Sequence, residues 1–267
     1  INAALLLIIE ILYLLTVASI VVVVISENRS PIRTVSWILA VVFLPFVGIL
    51  WYAIFGQEAT KKYLISKRMY SKLKRRPLDE MGTPVEVTAP DEHDNLVALI
   101  KNLDYNPLLG GNDVKLLSTG TEKFNYLFYD IERAKEHIHI EYYVLMDDEL
   151  GLKLQDALIK KAREGVEIRI IYDGFGSRKA KKEYFENYRM AGIEVEPFLK
   201  LTWNAVTSRI NYRNHRKIVV IDGTIGYVGG MNIADRYIDG FSWGAWRDTH
   251  ARIVGKGVQG LQSVFLI

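Results

Sequence analysis

Residues 214–222 read N-H-R-K-I-V-V-I-D, and after six further residues positions 229–232 read G-G-M-N. The β-branched run 218–221 has the composition of a buried strand. Side chains two residues apart share one face of a strand, so we expect His215 and Lys217 to point the same way. An imidazole can attack or protonate, and an ammonium can neutralise phosphoryl oxygens, so this pair suits phosphodiester chemistry. The alternative is a buried strand that carries chance polar residues and ends in a turn.

The combination of H-x-K-x4-D with G-G-x-N resembles the hallmark of the phospholipase D superfamily. Three more segments resemble that family and occur in its order: I-H-I-E-Y-Y at 138–143, R-I-I-Y-D-G at 169–174 and W-R-D-T-H at 246–250. The pattern N-R-S-P-I-R at 28–33 is similar to the N-terminal anchor region of bacterial cardiolipin synthases. The resemblance therefore covers nearly the whole chain.

The resemblance implies roles for four catalytic candidates. His215 would serve as nucleophile or acid–base group, and Lys217 would hold the phosphoryl oxygens. Asp222 would tie the structure of the lobe together rather than carry a proton. Asp248 would accept a hydrogen bond from the second ring nitrogen of His215 and fix its tautomer. The alternative for Asp248 is a surface carboxylate in a turn.

Five further residues are candidates for binding the phosphate or substrate. Gly229 and Gly230 would let the backbone approach the phosphate closely, and Asn232 would donate its amide to a phosphate oxygen. The family more often has Ser at the position of Gly230, so one hydroxyl is missing from the expected pocket. His139 and Glu141 share one strand face and are predicted to line the pocket, or else belong to an ordinary half-buried strand.

Composition excludes several other classes of function. The 267 residues include no cysteine, so disulfides and thiolate metal sites are ruled out, which fits a reducing compartment. The five histidines form neither an H-E-x-x-H nor an H-x3-H pattern, and no glycine-rich nucleotide motif is present. We therefore expect no metal and no cofactor.

Two apolar runs, 3–25 and 34–55, each have about the 20 residues needed to span a membrane as a helix. A signal peptide is the alternative for the first run, but a basic leader and a cleavage site are both missing. Pro45 and Gly48 predict a kink in the second helix. Eight cations within 61–76, against two in the short turn 26–33, predict that the downstream part is cytoplasmic. The segment 61–76 is interpreted either as a basic helix on anionic lipid or as a stop-transfer cluster.

The fold class predicted is α/β: a two-helix transmembrane hairpin followed by one phospholipase D-type α/β sandwich lobe. The predicted domains are a membrane anchor at 1–56, a basic juxtamembrane helix and linker at 57–94, and the lobe at 95–267. Strands are predicted at 115–117, 138–145, 166–172, 193–196, 217–221, 226–228 and 249–254, and helices at 121–134, 149–163 and 179–190. The chain begins with Ile and stops inside a predicted helix, so we expect it to be the first half of a two-lobe catalytic domain.

The resemblance implies phosphatidyl transfer between two phosphatidylglycerol molecules, giving cardiolipin and glycerol through a phosphohistidine. It implies anionic phospholipid (phosphatidylglycerol and cardiolipin), the membrane, and a second H-x-K-x4-D lobe in cis or a homodimer as partners. No nucleic acid is expected, and the predicted location is the bacterial inner membrane, multi-pass, with the lobe cytoplasmic. The alternatives are a membrane-bound phospholipase D-like phosphodiesterase, a nuclease, and a non-catalytic lipid-binding lobe.

Overall fold

The computed structural model describes residues 3–26, 31–44, 46–52, 56, 91–104, 108–198 and 213–266. The described residues fall into two compact units, of which the first ends at Gly56 and the second begins at residue 91. The predicted turn at 27–30 and the predicted basic helix at 61–76 lie outside the described residues.

The described residues of the first unit form three apolar helices, α1 (Ala3–Ser26), α2 (Pro31–Phe43) and α3 (Val47–Trp51). Within the described ranges, α1 is the one helix that is long and apolar enough to cross a membrane. Its 24 residues span about 36 Å, against about 30 Å of hydrocarbon. Helix α2 packs on both α1 and α3, and Val24, Val41 and Tyr52 form a small buried cluster.

The prediction of one helix across 34–55 is wrong. Helix α2 ends at Phe43 and α3 begins at Val47, so the predicted kink is observed as a complete break. Proline lacks the N–H that continues a helix, and Phe46 adopts a left-handed φ of 59°, which redirects the chain. A Cβ atom at Gly48 would lie 2.1 Å from the carbonyl oxygen of Ala40, so α3 packs directly against α2 and only glycine fits there.

The second unit is built on a seven-stranded mixed sheet. Its strands are β1 (Asp113–Leu117), β2 (His137–Tyr142), β3 (Glu167–Tyr172), β4 (Glu194–Pro197), β5 (Lys217–Ile221), β6 (Ile225–Gly229) and β7 (His250–Val254). The spatial order is β1-β7-β6-β5-β2-β3-β4. Strands β2, β3 and β4 run parallel, and all other neighbouring pairs are antiparallel.

Helices cover both faces of this sheet. The described helices of this unit are α4 (Asp94–Asp104), α5 (Gly120–Arg133), α6 (Glu149–Arg163), α7 (Lys182–Met190), α8 (Arg236–Asp239) and α9 (Val258–Leu266). Helices α5, α6 and α7 pack on one face and enclose the main core, which includes Val219 and Tyr142. Helix α9 packs on the other face against Ile218 and Val220. All five residues of β5 are buried as a result.

The sequence predicted most of these elements. The bounds of β5 and α6 agree with the prediction, and the α/β lobe is confirmed. Strand β2 stops at Tyr142 instead of continuing to Leu145, because the backbone N–H of Val144 donates to the Asn232 side chain instead of a neighbouring strand. Helix α8 was not predicted; it has only four residues, too few for a periodic pattern.

Asp222 ties β5 to the start of β2. Its carboxylate accepts hydrogen bonds from the backbone N–H groups of Lys135 (2.9 Å), Glu136 (2.8 Å) and His137 (3.0 Å). Five residues of extended chain, about 17 Å, separate it from Lys217. This position favours the structural role predicted for Asp222 over a catalytic one.

Asp222→Ala should destabilise the lobe by about 2 kcal/mol, because three backbone N–H groups lose a charged acceptor and Ala tolerates the φ of 50° poorly. The midpoint of denaturant unfolding measures this loss. Asp113→Ala, which removes an exposed carboxylate from β1, is the control and should change little. An unchanged midpoint in Asp222→Ala would contradict the structural role.

Candidate active site

His215 and Lys217 lie together at one end of β5. Lys217 is the first residue of the strand, is 4% exposed and pairs with Tyr142 of β2. Its ammonium nitrogen Nζ donates to the carbonyl oxygen of His215 at 2.6 Å. The His215 side chain is exposed, and the Tyr143 ring lies 4.7 Å from the imidazole and 5.3 Å from Lys217 Nζ. The structure therefore places an accessible imidazole and a buried cation next to the same aromatic ring.

The surroundings of this pair shift both pKa values downward. Burial lowers the pKa of Lys217 to about 8, against the opposing charge of Asp248. Partial burial and then the nearby Lys217 lower the pKa of His215, while the charge of Asp173 acts the other way. At neutral pH the imidazole is therefore mostly unprotonated, which is the form that attacks a phosphorus atom.

Asp248 lies beside the site but does not contact the imidazole. No hydrogen bond joins it to His215 in the described part of the chain; its Oδ1 accepts from the backbone N–H of Thr249 at 2.7 Å. A Cβ atom at Gly230 would lie 2.0 Å from Asp248 Oδ1, so the absence of a side chain at position 230 makes room for this carboxylate. The orienting role of Asp248 stays a prediction, and its charge acts on Lys217.

Lys217, Gly229 and the buried His250 lie on the adjacent strands β5, β6 and β7, with Gly229 on the middle strand. His250 pairs with Gly229 and follows it on the next strand, and a Cβ atom at Gly229 would lie 2.7 Å from His250 Nδ1. His250 is 1% exposed, and neither ring nitrogen has a partner among the described residues. Burial lowers its pKa to about 2, so this imidazole is neutral and unsuited to general acid catalysis.

A second buried lysine, Lys123, lies close to His250. Lys123 of α5 is fully buried and donates to the hydroxyl of Tyr142 at 3.0 Å. Burial lowers its pKa well below the usual value. Burial thus disfavours the charged forms of both His250 and Lys123, whereas Lys217 keeps a pKa of about 8.

Asn232 is buried and its amide is already engaged. Its Oδ1 accepts from the backbone N–H of Val144 at 2.9 Å, and its Nδ2 donates to the hydroxyl of Tyr237 at 2.6 Å. These bonds fasten the segment after β2 to the segment after β6. Among the described residues, the Asn232 side chain makes no hydrogen bond to His215 or Lys217. Its contact with phosphate stays a prediction.

His139 and Glu141 lie on the face of the sheet opposite Lys217, so the prediction that they line the pocket needs correction. His139 pairs with Val220, and its ring stacks on Phe265 of α9 at 4.5 Å. Burial is the main cause that lowers its pKa to about 4. The physical reason is strand alternation: Tyr142 faces the side of Lys217, so positions 139 and 141 face α9.

Asp173 and Asn214 lie near His215 and were not predicted as site residues; Tyr143 lies there as well. Tyr143 directly follows β2 and Asp173 directly follows β3, and these strands are parallel neighbours. The carboxyl ends of adjacent parallel strands form a common edge, where binding groups collect. The predicted strand 166–172 ends just before Asp173 and was therefore the signal in the sequence for this residue.

Two family models match the chain. One, described as cardiolipin synthase, PLD-like domain, matches residues 127–241, which include His215 and Lys217. The other, described as phospholipase D-nuclease N-terminal, matches residues 11–57. The chain is also 37% identical to a cardiolipin synthase of Halalkalibacterium halodurans over 96% of its length. The chain belongs to the cardiolipin synthase family of the phospholipase D superfamily.

The chain spans about half the length of the curated relatives it matches. It covers 52% of the Halalkalibacterium halodurans protein and 55% of the major cardiolipin synthase ClsA of Bacillus subtilis, to which it is 37% identical over 96% of its own length. Among solved structures, it is similar to a phosphatidylserine synthase of Haemophilus influenzae, with a TM-score of 0.47 and 14% identity. That match covers 73% of this chain and 40% of the other.

Sulfate should bind the chain less tightly as the pH rises through about 8, because Lys217 then loses its proton. Sulfate keeps its own charge in this range, so about a tenfold loss of affinity between pH 7 and 9 is expected from Lys217 alone. Titration calorimetry of the detergent-solubilised chain measures it. Lys217→Arg is the control, because a guanidinium stays charged and the affinity for sulfate should then vary little between pH 7 and 9. The same loss of affinity in this variant as in the wild type would contradict the assignment.

Asp248→Asn should move this sulfate-binding limb to lower pH, because the variant removes the negative charge that raises the pKa of Lys217. The control is Asp239→Asn, which removes the carboxylate at the end of α8 and should leave the pH dependence of sulfate binding unchanged. A limb that does not move in Asp248→Asn would show that this carboxylate does not act on Lys217.

Proposed function

We propose that the chain is the anchor and first catalytic lobe of an enzyme that transfers a phosphatidyl group between two phosphatidylglycerol molecules, giving cardiolipin and glycerol. The observation that carries the proposal is the exposed, neutral imidazole of His215 beside the buried cation of Lys217. A neutral nitrogen is ready to attack phosphorus, and a positioned ammonium stabilises the charge that develops on the phosphoryl oxygens. The similarity to cardiolipin synthases supports phospholipid as the substrate class.

The reaction is a double displacement. The imidazole of His215, or of its counterpart in a second lobe, bonds to the phosphorus of one phosphatidylglycerol, and the bond from phosphorus to the glycerol headgroup breaks. A general acid gives the departing glycerol oxygen its proton. A hydroxyl of the second phosphatidylglycerol then attacks the phosphohistidine and loses its proton to the same group, now a base. Cardiolipin leaves and the imidazole is restored.

We infer that the general acid comes from outside the described residues of this lobe. His250 is buried with a pKa of about 2, His139 lies under α9 on the far face of the sheet, and His137 lies at the other end of β2, beside Asp222. We therefore propose that a second H-x-K-x4-D lobe, in cis or in a second copy of the chain, supplies the acid. The roughly double length of the relatives supports the cis arrangement.

The N-terminal unit is proposed as the membrane anchor of this enzyme. Helix α1 is long enough to span the hydrocarbon, and the basic run 61–76 follows the apolar segments in sequence. We propose the domain limits 1–56, 57–94 and 95–267 and an inner-membrane location with the lobe on the cytoplasmic side. Substrate then reaches the site from the inner leaflet.

His215→Ala in the full-length enzyme should reduce cardiolipin formation from labelled phosphatidylglycerol by about 1,000-fold or more, because the motif loses its nucleophile or its acid. Thin-layer separation of the products measures this and shows whether water replaces the lipid acceptor. His93→Ala, which alters an exposed histidine of the 3₁₀ turn Asp91–His93, is the control. Turnover within tenfold of wild type in His215→Ala would reject the assignment, and phosphatidic acid as the main product would indicate a hydrolase.

A further inference from the structure

Asn214 makes hydrogen bonds on both sides of His215. Its backbone N–H donates to Asp173 Oδ2 at 3.1 Å, and its side-chain Oδ1 accepts from the backbone N–H of Arg216 at 3.1 Å. Its Nδ2 donates to Glu141 Oε1. Asn214 is 4% exposed, whereas the His215 imidazole is exposed and makes no hydrogen bond to any described residue. The backbone that carries His215 is therefore held by its neighbour.

Asp173 fixes one side of Asn214 to the sheet. Its carboxylate is fully buried, and Oδ1 accepts from the backbone N–H groups of Phe175 (2.9 Å) and Gly176 (2.8 Å). Its own N–H donates to the carbonyl oxygen of Tyr142 at 3.0 Å. Oδ2 accepts the hydrogen bond from the Asn214 backbone. Asn214 is therefore attached to the ends of β2 and β3 through Asp173.

Glu141 fixes the other side of Asn214 from the opposite face of the sheet. It is 1% exposed, pairs with Ile218 and lies under α9. Oε1 contacts Asn214 and the Arg216 guanidinium at 3.4 Å, while Oε2 has no partner in the described structure. A buried carboxylate with an unsatisfied oxygen is costly for stability, so its presence needs a reason other than folding.

We propose that Asn214 is the positioning residue for His215, and that Glu141 and Asp173 act in the reaction by holding Asn214 rather than by touching substrate. Anchored backbone on both sides of His215 leaves only side-chain rotation to be fixed when the imidazole attacks. Misplacement by about 1 Å is enough to slow such a step about 100-fold. The expected effect on turnover rests on the proposed function, whereas the chemical modification of His215 does not depend on it.

Glu141→Leu in the full-length enzyme should lower kcat by about 30- to 100-fold and leave KM within about twofold, because bound substrate is untouched while the nucleophile is misplaced. Glu141→Gln should recover most of this loss, since its amide oxygen accepts the same bond from Asn214. His139→Leu is the matched control, on the same strand and face under α9 but without a bond to Asn214. Glu141→Leu and His139→Leu losing kcat, KM and thermal stability in parallel would overturn the proposal.

The second readout is the pH dependence of His215 modification by diethyl pyrocarbonate in the 267-residue chain, mapped by peptide mass with the exposed His93 as internal standard. Burial first and then Lys217 lower the pKa of His215, and Asp173 opposes them. In Asn214→Ala and Glu141→Leu, a freed imidazole becomes more exposed and moves away from both charged groups, so the midpoint of modification should rise toward the ordinary histidine pKa. A midpoint unchanged in both variants would overturn the positioning role. Because no turnover is measured, this result stands even if phosphatidyl transfer is not the activity. If Glu141→Leu fails to fold, Asn214→Ala alone decides.

Discussion

The antiparallel pairing of Lys217 with Tyr142, across β5 and β2, sets the position of the whole site. Strand β5 is hydrogen-bonded on both edges and buried on both faces, so it cannot shift without moving the core. Its first residue is held where the chain enters the sheet, and the residues just before it, Asn214 and His215, are held with it. His215 thus directly precedes a strand that is held on both edges and both faces, while its own side chain stays exposed.

Burying the Lys217 ammonium is unfavourable, and the structure compensates only in part. The carbonyl oxygen of His215 accepts one bond, the Tyr143 ring lies nearby, and Asp248 adds a charge from the exposed side. Burial also disfavours the charged forms of its neighbours His250 and Lys123. A cation so placed is stabilised further when a phosphate anion arrives, and it needs little rearrangement at that moment. The same burial that lowers the pKa of Lys217 therefore prepares it for an anion.

The sequence predicted the elements and the central pair, because both follow from local patterns. The β-branched run gave β5, helical periodicity gave α6, and the two-residue spacing brought His215 and Lys217 together. The faces of β2 were beyond its reach, because they depend on which residue of β2 pairs with Lys217, and that register is a tertiary fact. The same holds for Asn214, whose role rests on carboxylates 41 and 73 residues away along the chain. The break in the second apolar segment was underestimated because hydropathy averages across Pro45.

The central proposal about the mechanism is that one lobe supplies a nucleophile and an anion site but no acid. The most direct measurement is cardiolipin formation from labelled phosphatidylglycerol by the purified 267-residue chain, at concentrations where light scattering shows it to be monomeric. The account predicts no cardiolipin under these conditions, and activity only when a second H-x-K-x4-D lobe or a second copy is bound. Turnover by the monomeric chain, rising linearly with its concentration, would show that a single lobe already holds the acid and would contradict the account.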